Sequence, residues 1–218
     1  VLAILEEKGP SLGLHINIPK CEVFCCGDLS LFPSSMKQSH QPNLEILAIP
    51  IGDLDFCTSY ISQKHNLAKQ LMLQLEEEGS HDPQVALMLL RTCSGFCKLA
   101  HLARATSPSL SLKALELFDI DIRNCLSQNT SVDMTDLSWK QAQLSLSKGG
   151  LGLRSLVLHA PAAYIASVCS SGYGHQSHTH LAHAVEIFNT CVAPSDLISL
   201  DSILTSPLRQ KALSSKLD

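Results

Sequence analysis

The stretch "EEEGSHDPQ", residues 76–84, constrains this chain more than any other. Gly79 is a weak helix-interior residue and a common helix stop. Asp82 and Pro83 then form a start. A carboxylate at the cap accepts from orphan amides, and proline in the first turn gives up an N–H that has no helical partner. Asp53 supplies a similar cap further back. The sequence therefore predicts two successive helices, Asp53 to about Glu78 and Asp82 to about Arg104. "ATSPSLS" (105–111) breaks the pattern before a third helix over about Leu110 to Leu126. Past a polar loop come a short helix from Asp136 through Trp139 to Leu146 and the glycine-rich connector "SKGGLGLRS". A helix around Ala160 to Ser170 follows, with Pro161 in its first turn, and two short helices close the C-terminal end.

The N-terminal part reads differently. Residues 1–12 suit the end of an amphipathic helix, with Leu2, Leu5 and Leu12 on one side and Gly13 as its cap. From Leu14 to Ile18 apolar and polar residues alternate, which is strand period. Pro19-Lys20 makes a turn and "CEVFCC" returns as the second strand of a hairpin. Residues 27–43 read as an exposed loop, and "LEILAI" (44–49) as a third strand stopped by Pro50 and Gly52. The expected class is α+β, mainly α: a small antiparallel strand corner (1–52), a helical bundle (53–129) and a helical C-terminal region (130–218).

The formal net charge of −4 argues against a free-standing, strongly basic nucleic-acid binder but leaves room for a local basic face. No acidic residue lies between Asp82 and Glu116, where Arg91, Lys98, Arg104 and Lys113 occur. The same holds between Asp136 and Glu186, with Lys140, Lys148 and Arg154. Arg91 and Lys98, seven apart, are expected to share a helix face with His101 near it. The plain alternative is a solvated helix surface.

Nine cysteines, odd in number and irregularly spaced, read as reduced thiols of an intracellular protein, nuclear or cytoplasmic and not secreted. The longest apolar stretch, "VALMLLRTCSGFCKLAHLA", is interrupted by Arg91 and Lys98 and reads as a buried helix, not a membrane span. The chain starts at Val1 and its first methionine is Met36, so it begins like a piece of something longer or a processed product.

Three motifs invite a chemical reading. Gly149, Gly150 and Gly152 suggest a phosphate loop, but Lys148 precedes the glycines and the spacing matches neither the dinucleotide fingerprint nor a P-loop; a tight connector is expected. His175, His178, His180 and His183 are weak metal candidates, with a surface histidine-rich turn as the alternative. Cys93, Cys97 and His101 fall at i, i+4, i+8, and among Phe96, Leu99 and Leu102 they read as core. No nucleophile with a base and no paired carboxylates for metal-assisted phosphoryl chemistry occur, so no catalytic residue is assigned.

The order of these segments resembles the later part of a reverse transcriptase of the non-LTR retrotransposon type. Gly13-Leu14, Asn17 and Lys20 are similar to that family's D motif, a strand and turn that follow its Tyr-x-Asp-Asp hairpin. "ILAIPIG" resembles the E motif or primer grip, with Ala48 where glycine is usual. "GGLGLRS…APAAYIAS" resembles the segment beyond the thumb. The resemblance covers about residues 1–172. It implies a palm edge in 1–52, a thumb in 53–129 and a connection region in 130–218. It also implies a phosphate-proximal role for Lys20 and duplex-backbone contacts from Lys64, Lys69, Arg91, Lys98 and Arg104.

The parent family consists of RNA-directed DNA polymerases, which need Mg²⁺ held by aspartates. No Tyr-x-Asp-Asp occurs in these 218 residues, so they are expected to supply template–primer binding without chemistry and without a cofactor of their own. The implied partners are an RNA–DNA or DNA duplex and the palm and fingers of the same machine, or a second copy of the chain; no membrane is implied. The competing reading is a helical protein-interaction module with no nucleic-acid role.

Overall fold

The computed structural model describes residues 2–25, 27–39, 43–79, 82–171, 179–206 and 208–217. Internal contacts divide the chain into two units, Val1–Leu44 and Glu45–Asp218. The class is α+β and mainly α.

In the first unit, helix α1 (Leu2–Lys8) ends in a 3₁₀ turn, Pro10–Leu12, closed by Gly13 at φ 73°. Here the expected hairpin gives way. Residues 14–17 form no strand, and Leu14 is 63% exposed, so the alternation has no buried face to serve. Pro19 instead seats Ile18–Lys20 in a second 3₁₀ turn, in which the amides of Lys20 and Cys21 donate to Asn17 and Ile18 carbonyls. Those donors are spent locally and proline has none, so the segment cannot pair with β1 (Glu22–Phe24) as a ladder. Strand β1 pairs in parallel with β2 (Lys37–Ser39), in the register Glu22↔Lys37, Val23↔Gln38, Phe24↔Ser39. β2 lies inside the expected loop. The crossover, residues 25–36, has about the dozen residues that a parallel pair requires. Lys37 Nζ reaches Glu22 Oε1 at 2.7 Å across the pair.

The expected third strand is itself a hairpin, β3 (Leu44–Ile46) and β4 (Ile49–Ile51). Its two-residue turn, Leu47-Ala48, has φ of 52° and 61°. Positive φ at both central positions is the mirror-image turn whose twist suits a hairpin, though glycine or asparagine is its usual occupant.

Helix α2 (Leu54–Gly79) starts where Asp53 Oδ1 accepts from Phe56 N at 2.8 Å. Asp82 caps α3 (Pro83–Leu89) by accepting from the amides of Gln84 and Val85, both at 3.1 Å. The second predicted helix does not continue to Arg104. It passes into a π turn, Leu90–Ser94, breaks at Gly95, resumes as a 3₁₀ turn, Phe96–Lys98, and ends in α4 (Ala100–Ala105). A Cβ at Gly95 would stand 2.6 Å from the Leu90 carbonyl oxygen, so the break depends on glycine. Pro83–Ala105 is the one stretch among the described residues long and apolar enough to cross a membrane, and Leu90, Leu99 and Leu102 pack it into the core.

The third helix, α5 (Pro108–Thr130), is longer than predicted because Pro108 serves as its first residue. α6 (Asp136–Gln143) is capped by Thr135. α7 (Leu156–Ser170) begins a turn earlier than predicted, because Ser155 caps it by accepting from Leu158 N at 3.0 Å. Among the described residues three helices follow, against the two expected: α8 (Thr179–Cys191), α9 (Leu200–Thr205) and α10 (Gln210–Leu217).

Two apolar clusters organise this unit. The first joins α2 to α5 through Ile61, Met72, Leu115, Phe118, Ile122 and Leu126, and takes in Trp139, Leu156 and Ala160. The second gathers Ile165, Leu181, Phe188, Ile203 and Leu213 around Ala162. Helix α7 is the wall between them. Ala160, Ala162, Ala163 and Ala166 are buried along it, and side chains this small let neighbouring helices approach closely. Asp119, in mid-α5, pins the start of α7: Oδ1 accepts from Leu156 N at 2.9 Å, and Oδ2 accepts from Val157 N at 3.2 Å and from the Ser155 hydroxyl.

Candidate nucleic-acid interface

Lys20 belongs to the first unit, where it ends the 3₁₀ turn Ile18–Lys20 with its side chain exposed. The other basic candidates belong to the second unit. Lys64 lies one turn beyond Tyr60 on α2, its ammonium 4.8 Å from the ring centroid. That contact orients a cation at the surface at little cost in hydration. Lys69 is exposed on the same helix, but Asp121 Oδ1 accepts from its ammonium at 2.9 Å. The other oxygen of Asp121 meets Nε2 of buried His65 at 2.7 Å. Its charge is therefore balanced inside the protein before any ligand arrives.

Arg91, Lys98 and Arg104 occupy three successive pieces of the interrupted helix. The π turn and the break at Gly95 change the rotation per residue, so the expected common face of Arg91 and Lys98 does not follow from their spacing. Arg91 is half-buried, its aliphatic stem beside the connector: a Cβ at Gly152 would stand 3.1 Å from Arg91 Cδ. Lys98 and Arg104 are exposed, while Leu99, Leu102 and Ala103 between them face the core. His101 is exposed too, its Nε2 3.0 Å from the Leu47 carbonyl oxygen in the β3–β4 turn. This contact ties the hairpin to the basic segment. The break also overturns the core reading of Cys93 and Cys97. Both are exposed, and Cys97 Sγ donates to the Thr92 carbonyl at 3.2 Å.

His175 and His178 lie outside the described residues. His180 and His183 sit exposed in the first turns of α8, with His180 Nδ1 3.3 Å from Ser109 Oγ. Among the described residues, no three or more histidine, cysteine or carboxylate side chains converge as a metal site.

The connector has no phosphate cradle in its backbone. The amides of Lys148, Gly149 and Gly150 donate to the carbonyls of Ser145, Leu146 and Ser145. Those of Leu151, Gly152 and Leu153 donate to Ala142, Leu144 and Ala142. Every N–H from 148 to 153 is thus committed, and an anion nest needs uncommitted ones. The glycines serve packing: at Gly150 a Cβ would stand 2.1 Å from the Leu144 carbonyl oxygen.

In the second unit, burial rather than partner charge dominates the shifted acids. Desolvation holds the Asp119 carboxyl above its ordinary range despite its three hydrogen bonds, and Glu116 adds to the rise. Burial likewise raises Glu76, helped by Asp121. No protein-family model, curated protein or solved structure matches the chain.

Proposed function

We propose that this polypeptide is the duplex-holding part of an RNA-directed DNA polymerase of the non-LTR retrotransposon type, acting inside the cell and contributing grip rather than chemistry. The observation that carries the reading is the acid-free segment from Pro83 to Leu115. It presents Lys98 and Arg104 outward, seats half-buried Arg91 beside the connector, and contacts through His101 the hairpin that resembles a primer grip. Lys64 on α2 adds a fourth cation; Lys69 contributes less because Asp121 already holds it. Contacts of this kind read backbone phosphates and not sequence. The polymerase's Mg²⁺ would belong to aspartates of a Tyr-x-Asp-Asp motif, which these residues do not contain.

The test is the affinity for a short RNA–DNA hybrid measured across salt. Four phosphate contacts give a log–log slope of roughly −3 to −4. Substituting Lys98 and Arg104 by glutamine should flatten the slope by about 2. Absence of binding at low salt refutes the reading.

A second reading, a helical protein-interaction module, is favoured by one specific observation. Leu67 and Leu71 on α2, Val85 and Met88 on α3, and Leu117 and Ile120 on α5 are all at least a third exposed and lie three or four residues apart, at helix-face spacing. Self-association seen by light scattering and abolished by Leu67→Glu with Leu117→Glu would support it; a monomer at all concentrations would not.

A further inference from the structure

Cys93 and Cys97 are exposed on the interrupted helix, one on each side of Gly95. The π turn and the break change the rotation between them, so their placement rests on contacts and not on spacing. Both sulfurs touch the same residue. Cys93 Sγ lies 3.4 Å from Thr92 Oγ1, and Cys97 Sγ lies 3.2 Å from the Thr92 carbonyl oxygen. The Thr92 hydroxyl donates its proton to the Met88 carbonyl at 2.7 Å, so the Cys93 thiol is the donor to Oγ1. One surface residue thus gathers two thiols, and neither belongs to the apolar clusters.

A disulfide asks for sulfurs about 2.05 Å apart and a Cβ separation of about 3.8 Å. The backbone between the two cysteines can supply that last movement. Gly95 stands outside any regular helix, at φ −87° and ψ −136°, and glycine is the residue least restricted in φ and ψ. The ring that the bond closes is very short, so it removes little entropy from the unfolded chain and adds little stability. An exposed bond of that kind has a comparatively oxidising potential and is readily reduced, which suits a reversible modification and not a structural staple. Other thiols are placed differently: Cys57 and Cys125 are buried, and exposed Cys191 lies against Thr190.

We propose that Cys93 and Cys97 form a dithiol site that a hydroperoxide oxidises to an intrachain disulfide and a small thiol reduces again. One thiol, as thiolate, attacks a peroxide oxygen. The O–O bond breaks, leaving a sulfenic acid on the protein and water (or an alcohol) as the reduced product. The second thiolate attacks the sulfenic sulfur, the S–S bond forms, the S–O bond breaks, and the departing hydroxide takes up the remaining proton. Two thiols and one hydrogen peroxide give one disulfide and two waters, with two electrons passing from the sulfurs to the peroxide. Nothing in this reaction draws on the basic side chains of the duplex proposal, so the two stand or fall separately.

The experiment uses the full chain. It is treated with a small excess of hydrogen peroxide at neutral pH, remaining thiols are blocked with iodoacetamide, and tryptic peptides are weighed. Cleavage after Arg91 and Lys98 releases both cysteines in one peptide, TCSGFCK. The expected product is this peptide unalkylated and lighter by two hydrogens than its dithiol form. Dithiothreitol added before blocking should return it to the doubly alkylated form. Cys93→Ser and Cys97→Ser should each abolish the shift; both positions are exposed, and circular dichroism verifies the fold. A synthetic TCSGFCK peptide treated alongside should close about tenfold more slowly than the folded chain, because nothing holds its thiols together beforehand. Two alkylated thiols, oxidation that ends at sulfinic or sulfonic acid, disulfide-linked dimers, or a rate no higher than that of the peptide overturns the proposal.

Discussion

Replacing Asp119 by alanine removes the acceptor for one buried and one half-buried backbone amide and one buried hydroxyl at the start of α7, the helix that both apolar clusters share. A buried donor left without a partner costs ~1–3 kcal/mol, and loss of a helix cap about 1 kcal/mol. Burying the carboxylate is itself unfavourable, as the raised Asp119 pKa indicates, and this offsets part of the loss. The net destabilisation is expected to be about 3–5 kcal/mol for Asp119→Ala and ~1–3 kcal/mol for Asp119→Asn, which keeps one oxygen as an acceptor for Leu156. Urea unfolding of the second unit, followed by circular dichroism, measures both. A loss below about 1 kcal/mol in the alanine variant would refute the pinning role.

The pH dependence gives an independent check. A folded pKa raised above the ordinary 3.8 means that the folded state holds a proton the unfolded state releases. The contribution of Asp119 is therefore most favourable below the ordinary value and declines as pH rises through the folded one. Relative to Asp119→Asn, the wild-type chain should gain stability on acidification through that window. The opposite slope would mean that the three hydrogen bonds outweigh burial.

Two further outcomes follow from local geometry. Ala48→Gly should stabilise the hairpin by about 0.5–1 kcal/mol, because relief of the left-handed backbone exceeds the added unfolded-state entropy; a melting temperature that falls would disprove the turn. Thiol titration under native conditions should find Cys93, Cys97 and Cys191 reactive, and Cys57 and Cys125 silent until unfolding. The last two are buried, and burial pushes the Cys125 thiol up to about 12; rapid labelling at position 125 in the folded chain would contradict its placement.

Helix starts were the most legible part of the sequence. Asp53 and Asp82 cap where their side-chain chemistry says they should, because capping is decided within three residues. The start of α7 was misplaced because Pro161 looks like a first-turn proline, while the cap that wins, Ser155, depends on Asp119 thirty-six residues away. The break at Gly95 was also missed. A single glycine in a helical pattern is compatible with continuation, and only the packing of Leu90 and Leu99 into the same core settles it. The strand errors have a similar origin. Alternation at 14–18 signals a strand only if one face is covered, and a parallel partner at 37–39 leaves almost no local trace. Among the basic residues, the acid-free segment could be read directly, whereas the tie between Lys69 and Asp121 and the meeting of Lys148 with Lys211 are products of the tertiary fold.

The connector from Ser145 to Leu153 works as a fixed-length strut. With each of its last six amides matched to a particular carbonyl, adding or deleting one residue would shift the whole series out of step and swing Lys148 and Arg154 away from α10. Exchanging its outward side chains disturbs none of those matches. The charge of this corner of the protein can therefore be rewritten freely, while its spacing cannot.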